Sequence, residues 1–167
     1  MQTFGIALTA SQERAIRRLV HCLEDAAICY QFTGGFAANL HGSRWPLHDI
    51  DLEVAERDLP RLAEILAPCI TRPLGLYEDE EFRLYLFCAT LDGMEIEVNQ
   101  AECAYVRCGG QWVPLQTDLA HRQKVKLFDL HVWVQPLQAL IEYKALLGRD
   151  ADLADLQSLQ RRCGRPL

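Results

Sequence analysis

Apolar and polar residues alternate along this chain in two rhythms, and the switches between them mark out the elements. From Ser11 to Ala27 the apolar positions Ile16, Leu19, Val20 and Leu23 recur at the spacing of a helix with one buried face. Thr9 and Gln12, three residues apart at its start, can form a capping box. Cys29-Tyr30-Gln31-Phe32-Thr33 is a short β-prone run halted by Gly34-Gly35, and Phe36 to Leu40 is a compact helical turn ending near Gly42. Asp49 to Val54 alternates strictly between polar and apolar, which predicts a half-buried strand. Asp58 to Leu66 predicts a helix with Leu59, Leu62, Ile65 and Leu66 inward.

Phe82 to Thr90 and Met94 to Asn99 alternate again, and Asp92-Gly93 between them is a hairpin turn signal. Trp112-Val113, Val125 to Phe128 and Val132 to Val134 are further strand candidates. Pro136, well tolerated in a first turn, opens a helix to about Leu147, and a last helix covers roughly Ala151 to Arg161 and ends at Gly164. The order predicts an α/β (α+β) fold: a mixed β-sheet with flanking helices and a short C-terminal helical part. With no linker, repeat or low-complexity stretch, 167 residues make a single domain. Its core spans about 11–100, with the C-terminal strands and helices in about 111–163.

Composition narrows the classes. Half the residues are hydrophobic, a globular proportion, and no apolar run approaches the ~20 residues that span a bilayer. Met1-Gln2-Thr3-Phe4-Gly5 lacks the charged start of a signal peptide, and seven cysteines without a spacing framework suit a reducing compartment. A cytoplasmic location is expected. Cys103 and Cys108, the closest pair, lack the partners of a zinc site. The net charge of −6 argues against a protein that holds nucleic acid mainly by its phosphates. The one local basic tract, His121-Arg122-Gln123-Lys124-Val125-Lys126, reads as a solvated strand edge.

The candidate chemistry lies in two acidic rows. In His48-Asp49-Ile50-Asp51-Leu52-Glu53-Val54 the apolar residues point one way and the carboxylates the other. Met94-Glu95-Ile96-Glu97-Val98 repeats the arrangement with Glu95 and Glu97. If these strands are neighbours, the carboxylates crowd together, which is unfavourable without a cation and suits Mg²⁺ or Mn²⁺. The plainer alternative is an ordinary solvated acidic face. The preceding segment favours the first reading. Gly34-Gly35 ends a strand and opens a helix, where backbone N–H groups can approach a phosphate, and Ser43 and Arg44 offer a hydroxyl and a guanidinium.

Together these residues resemble the nucleotidyltransferase superfamily related to DNA polymerase β. Its signature is a hydrophobic residue, Gly, then Gly or Ser, a short spacer, and an Asp-hydrophobic-Asp/Glu strand. Here Gly34-Gly35 precedes a spacer of residues 36 to 48 and then Asp49-Ile50-Asp51, with Thr33 departing from the hydrophobic first position. Glu97 stands for the third carboxylate, with Glu95 as the other candidate. Leu140-Ile141-Glu142-Tyr143-Lys144, Leu147-Gly148-Arg149-Asp150, Asp152 and Asp155 resemble the closing helices of small bacterial members. Those members include stand-alone, antibiotic-modifying and toxin–antitoxin transferases. Residues 101 to 133 resemble nothing nameable.

The resemblance implies Mg²⁺-dependent transfer of a nucleoside monophosphate from a nucleoside triphosphate such as ATP to a hydroxyl on a small molecule, a protein or an RNA end. Asp49, Asp51 and Glu97 would be the catalytic and metal-binding residues. Gly34, Gly35, Ser43, Arg44 and Lys144 would bind the nucleotide, with Arg149 and Asp152 or Asp155 bracing the site. Two other readings stand beside it: a catalytically weak binding or regulatory protein of a toxin–antitoxin pair, and a metal-dependent phosphohydrolase or nuclease. So small a helical end leaves room for a homodimer or a partner protein to complete the acceptor side.

Overall fold

The computed structural model describes residues 6–115 and 117–164, so the expectation about Met1 to Gly5 lies outside the described residues. Helix α1 (Ala10–Asp25) begins with the capping box foreseen from the sequence. The Gln12 amide donates to the Thr9 hydroxyl at 3.1 Å, and the Thr9 amide donates to the Gln12 side chain at 2.9 Å. Strand β1 (Tyr30–Thr33) runs directly into helix α2 (Gly34–Leu40), so the helical turn expected from Phe36 starts earlier, on the glycines themselves. Strand β2 (Asp49–Val54) and helix α3 (Leu59–Ile65) lie where the pattern puts them, except that Ile65, expected inward, is 39% exposed.

The next segment shows no sequence period and is nevertheless strand β3 (Ile70–Glu78). Its register against the following strand shifts between Ile70 and Arg72 and again between Arg72 and Gly75, and Pro73 stands in that irregular part. A strand paired on one side only tolerates both. Strands β4 (Phe82–Leu91) and β5 (Met94–Gln100) form the expected hairpin, with Asp92 and Gly93 both at positive φ, 48° and 80°. That turn twists with its strands. Strands β6 (Tyr105–Cys108) and β7 (Gln111–Pro114) make a second hairpin, and β8 (Gln123–Leu127) and β9 (Leu130–Val134) a third. Helix α4 (Leu137–Leu146) takes Pro136 as its N-cap, one residue ahead of the expected position, and α5 (Asp150–Cys163) closes the chain.

Among the described residues nine strands form one mixed sheet in the order β7-β6-β4-β5-β2-β1-β9-β8, with β3 added to β4. β2 runs parallel to β5 and β1 parallel to β9, while the other pairs are antiparallel. Strand alternation divides the centre of the sheet into two faces. Ile50, Leu52, Val54, Phe87, Ile96 and Val98 are at most 1% exposed and join the inner face of α1 in one core. α1 lies against β4 and β5, and α3 against β3 and β5. The other face carries the polar residues and is bordered by α4, which packs on α2 and α5.

Candidate active site

The parallel pairing of β2 with β5 sets Asp49 opposite Glu95, Asp51 opposite Glu97 and Glu53 opposite Asn99. Residues two apart on a strand share a face, so both acidic rows point the same way from adjacent strands. A cavity of about 310 Å³ opens above them. Asp49, Asp51, Glu53, Glu97 and Asn99 form its floor. Tyr77, Phe82, Leu84 and Leu86 from β3 and β4 give it an apolar wall, and Tyr143, Lys144 and Arg149 close the side towards the C-terminal helices. Glu95 is exposed and lines no part of it.

Crowding of like charges governs the electrostatics. Burial, and then the charges of Asp49 and Glu97, pushes the Asp51 carboxyl up to about 7, with Lys144 and Arg149 pulling the other way. Glu97 reaches solvent at the cavity mouth, yet partial burial and Asp49 raise its proton affinity too, against the pull of Arg72. Burial also raises Glu53, although Gln31 donates to it at 2.9 Å and Thr117 at 3.2 Å. The Tyr143 phenol is held above its usual range, by burial first and then by the Glu53 and Asp51 charges. The cations are placed differently from one another. Lys144 is buried and its Nζ lies 3.1 Å from Asp152 Oδ2, whereas Arg149 is about half exposed and its Nη2 is 3.7 Å from Glu81.

Gly34 is required by geometry. It has φ +58°, and a Cβ there would overlap the Asp51 carboxylate, so no other residue leaves that side chain its place. Gly35 has open space where a Cβ would stand and does not line the cavity. Ser43 and Arg44, expected to cradle phosphate, are not among the residues that line this cavity. Ser43 is buried, donates to Asp155 Oδ2 at 2.6 Å and accepts from the Trp45 amide at 3.3 Å. Its hydroxyl therefore ties the loop before β2 to α5. Arg44 is exposed and borders a separate depression with Trp45, Pro46 and Asp155. The structure thus gathers Gly34, Asp49, Asp51, Glu97 and Lys144, leaves Gly35 at their edge and keeps Ser43 and Arg44 apart. Asp152 and Asp155 act as braces, one holding Lys144 and the other Ser43.

Sequence reasoning missed Tyr77, Asn99, Gln135 and Tyr143 in the lining. Tyr143 could have been found as the neighbour of Lys144, and Asn99 as the next residue in the Glu95-Glu97 alternation. Tyr77 carries no such signal, because β3 has no period.

Among the described residues no three His, Cys, Asp or Glu side chains already form a metal cage. The donor set still fits a hard cation. Three carboxylates share one face, and the two with raised proton affinity at Asp51 and Glu97 are those a cation would relieve. Mg²⁺ commonly takes one or two carboxylates and completes its shell with water and substrate phosphates, which an open floor allows. The remaining motifs have structural roles. His41 Nε2 donates to the Gln135 carbonyl, 2.7 Å away, and burial lowers the pKa of the ring. His48 is exposed and outside the cavity. Lys124 and Lys126 project from β8 at the end of the sheet order, and the Arg122 guanidinium lies 4.2 Å from the Trp133 ring centroid. Among the described residues no helix is long and apolar enough to cross a membrane.

No family model matches the chain, and no characterised protein matches it in sequence. Solved structures match its fold. A candidate nucleotidyltransferase from Thermotoga maritima superposes with a TM-score of 0.73 at 18% identity, over 93% of this chain and 96% of that one. The lincosamide antibiotic adenylyltransferase LnuA, with lincomycin bound, gives 0.60 at 9% identity over 88% and 97%. ANT(2″)-Ia, in complex with adenylyl-2″-tobramycin, gives 0.59 at 12% identity over 89% and 87%. At these identities the likeness concerns the fold, and the chain has the nucleotidyltransferase fold.

Proposed function

We propose that this protein transfers a nucleoside monophosphate, with ATP as donor, to the hydroxyl of an acceptor in a reaction that depends on a divalent metal. The observation that carries the proposal is the parallel register of β2 and β5, which sets Asp49, Asp51 and Glu97 on one floor beside Lys144. The shared fold of two antibiotic adenylyltransferases supports it.

Asp49, Asp51 and Glu97 would hold Mg²⁺ or Mn²⁺, which when bound supplies charge stabilisation at the attacking and leaving oxygens of an in-line displacement. In that displacement the acceptor oxygen bonds to the α-phosphorus, the bond to pyrophosphate breaks, and the acceptor proton must leave. Glu97, at the mouth of the cavity, would take that proton. Lys144, fixed by Asp152, presents its ammonium to the phosphates that depart. Gly34 keeps Asp51 close to the first turn of α2, and Gly35 leaves the backbone beside it approachable. Leu84 and Leu86 exclude water from the far side of the floor.

Thermal stability measured with ATP, GTP, CTP and UTP, each with Mg²⁺ and with chelator, tests the reading without knowledge of the acceptor. ATP with Mg²⁺ at ~100 times its dissociation constant is expected to stabilise by about 2.7 kcal/mol. The paired substitution Asp49→Asn with Asp51→Asn is expected to remove that gain. Absence of a metal-dependent shift with any nucleotide overturns the proposal, and consumption of triphosphate with water alone as acceptor replaces it with a hydrolase.

A further inference from the structure

A second cavity, also of about 310 Å³, adjoins the first, and Glu53, Leu115, Gln135 and Tyr143 line both. Its other described walls are Val113 and Pro114 at the end of β7, Thr117, and one face of α4, where Ala139, Glu142, Tyr143 and Leu146 recur at helical spacing. Val113 and Leu146 are large apolar residues left 37% and 43% exposed. The volume is that of a small-molecule site, and the lining is mostly apolar with a few polar groups, as such sites are.

The two chambers differ in charge. Lys144 and Arg149 face the first, where phosphates have to be held. Among the described residues the second is lined by no Lys, Arg or His, and Glu142 gives its outer side a carboxylate. An anion entering it would lose water and gain no partner. The shared wall is polar in a particular way. Glu53 is buried with Gln31 and Thr117 donating to it, and the Gln135 side-chain oxygen is buried with no hydrogen-bond partner. Buried polar atoms are rarely left so, and rotation of the terminal amide would present its oxygen or its NH₂ group to a ligand.

We infer that the second chamber seats the acceptor, a small hydroxyl-bearing molecule with an apolar face that is uncharged or cationic and carries no phosphate. The inference rests on the transfer reading above and deepens it. The apolar body lies between β7 and α4, and the hydroxyl passes the wall of Glu53 and Gln135 to reach the floor of Asp49, Asp51 and Glu97. A nucleic-acid end is excluded by the lining, since its phosphates would meet Glu142 and no cation.

Three probes of one shape test this: 4-(hydroxymethyl)benzylamine, 4-methylbenzyl alcohol and 4-(hydroxymethyl)benzoate. Each is added at millimolar concentration to nucleotide-free protein while the methyl resonances of Val113, Leu115, Ala139 and Leu146 are followed. Shifts are expected with the amine and the uncharged alcohol, not with the carboxylate, and are expected to vanish in Ala139→Trp, which fills the chamber. Leu146→Arg, at an exposed position, keeps the test sound if the tryptophan variant misfolds; it is expected to weaken the amine about threefold or more. No shift with any probe, equal shifts with the carboxylate, or amine binding untouched by a folded variant overturns the inference. The two readings fail separately. Probe binding without an ATP–Mg²⁺ stabilisation sinks the transfer proposal, whereas nucleotide stabilisation without probe binding sinks the acceptor chamber.

Discussion

Strands β2 and β5 show the same residues obeying opposite rules on their two faces. On one, Ile50, Leu52, Val54, Ile96 and Val98 are at most 1% exposed, and each fully buried aliphatic side chain contributes roughly 1.5–3 kcal/mol. On the other, the alternate residues Asp49, Asp51, Glu53 and Glu97 bring carboxylates together, and at Asp51, Glu53 and Glu97 burial and like charge oppose ionisation. The first face drives folding, and the second opposes it through buried like charge. A slip of one residue would exchange the two sets, so the hydrophobic pattern fixes the register on which the chemistry depends. Asp51 and Leu52, adjacent in sequence, therefore serve ends that can be separated by substitution.

The largest effect expected is on turnover. Asp51→Asn should lower transfer by at least about 10²–10³-fold, the scale seen when one group stabilising a transition state is removed, and should leave the fold intact. Leu52→Ala should do the reverse, costing about 2–5 kcal/mol in denaturant unfolding while the molecules that remain folded still react. Wild-type turnover in the first variant, or a wild-type unfolding midpoint in the second, would break the division between the faces.

Next comes pH. The Asp51 pKa is raised in the folded state, from 3.8 to about 7, so between those values the folded protein holds a proton that the unfolded chain gives up. The unfavourable contribution is absent below about pH 4, grows through the interval, and is complete above about pH 7, with an upper bound of roughly 4 kcal/mol. Metal-free protein should accordingly lose stability from pH 5 to 8, and Asp51→Asn should flatten that slope. Added Mg²⁺ should restore stability mainly at the alkaline end. Unfolding curves at several pH values with chelator and with Mg²⁺ check all three, and a slope unchanged in the variant would remove Asp51 from the account.

The glycines sharpen the comparison at the place where a loop meets the acidic face. Gly34→Ala should cost about 1–2 kcal/mol for the left-handed backbone alone and should also displace Asp51, lowering turnover with stability. Gly35→Ala has open space and lies in a helix, so it should leave stability equal or slightly higher. Equal behaviour of the two variants in unfolding and turnover would mean that the contact between Gly34 and Asp51 has no consequence.

What the sequence made legible follows the same division. β2 and β5 were readable because each has one buried face, and the Asp92-Gly93 turn because its backbone demands those residue types. The capping box of α1 was readable because it is local. β3 was not, since an edge strand with bulges and Pro73 buries too little on either side to impose a period. β6 was missed for a related reason: it is only four residues long, too short to show alternation. The site divides likewise. Asp49, Asp51 and Glu97 announce themselves as carboxylates in apolar strands, but no local pattern says that β2 pairs with β5, and the choice of Glu97 over Glu95 as a lining residue depends on that pairing. Gln135 enters because the end of β9 lies beside β1, and Tyr143 because α4 borders the same face, both contacts between residues far apart in the chain.

Ser43 gives the smallest effect and the finest test of where the acidic face ends. As the second residue of the Gly42-Ser43-Arg44 loop it invites a place on a phosphate, yet its hydroxyl is committed at both ends, donating to Asp155 and accepting from the Trp45 amide. Asn39 reinforces the loop by donating to the Ser43 and Trp45 carbonyls at 3.0 and 2.9 Å. Ser43→Ala should therefore cost about 1 kcal/mol in unfolding, the worth of one hydrogen bond, and leave the ATP–Mg²⁺ stabilisation unchanged. Combined with Asp155→Ala it should lose less than the sum of the two single substitutions, because each removes the same contact. A tenfold fall in nucleotide affinity with stability unchanged would instead place Ser43 on the triphosphate and extend the reactive face across α2 to the loop before β2.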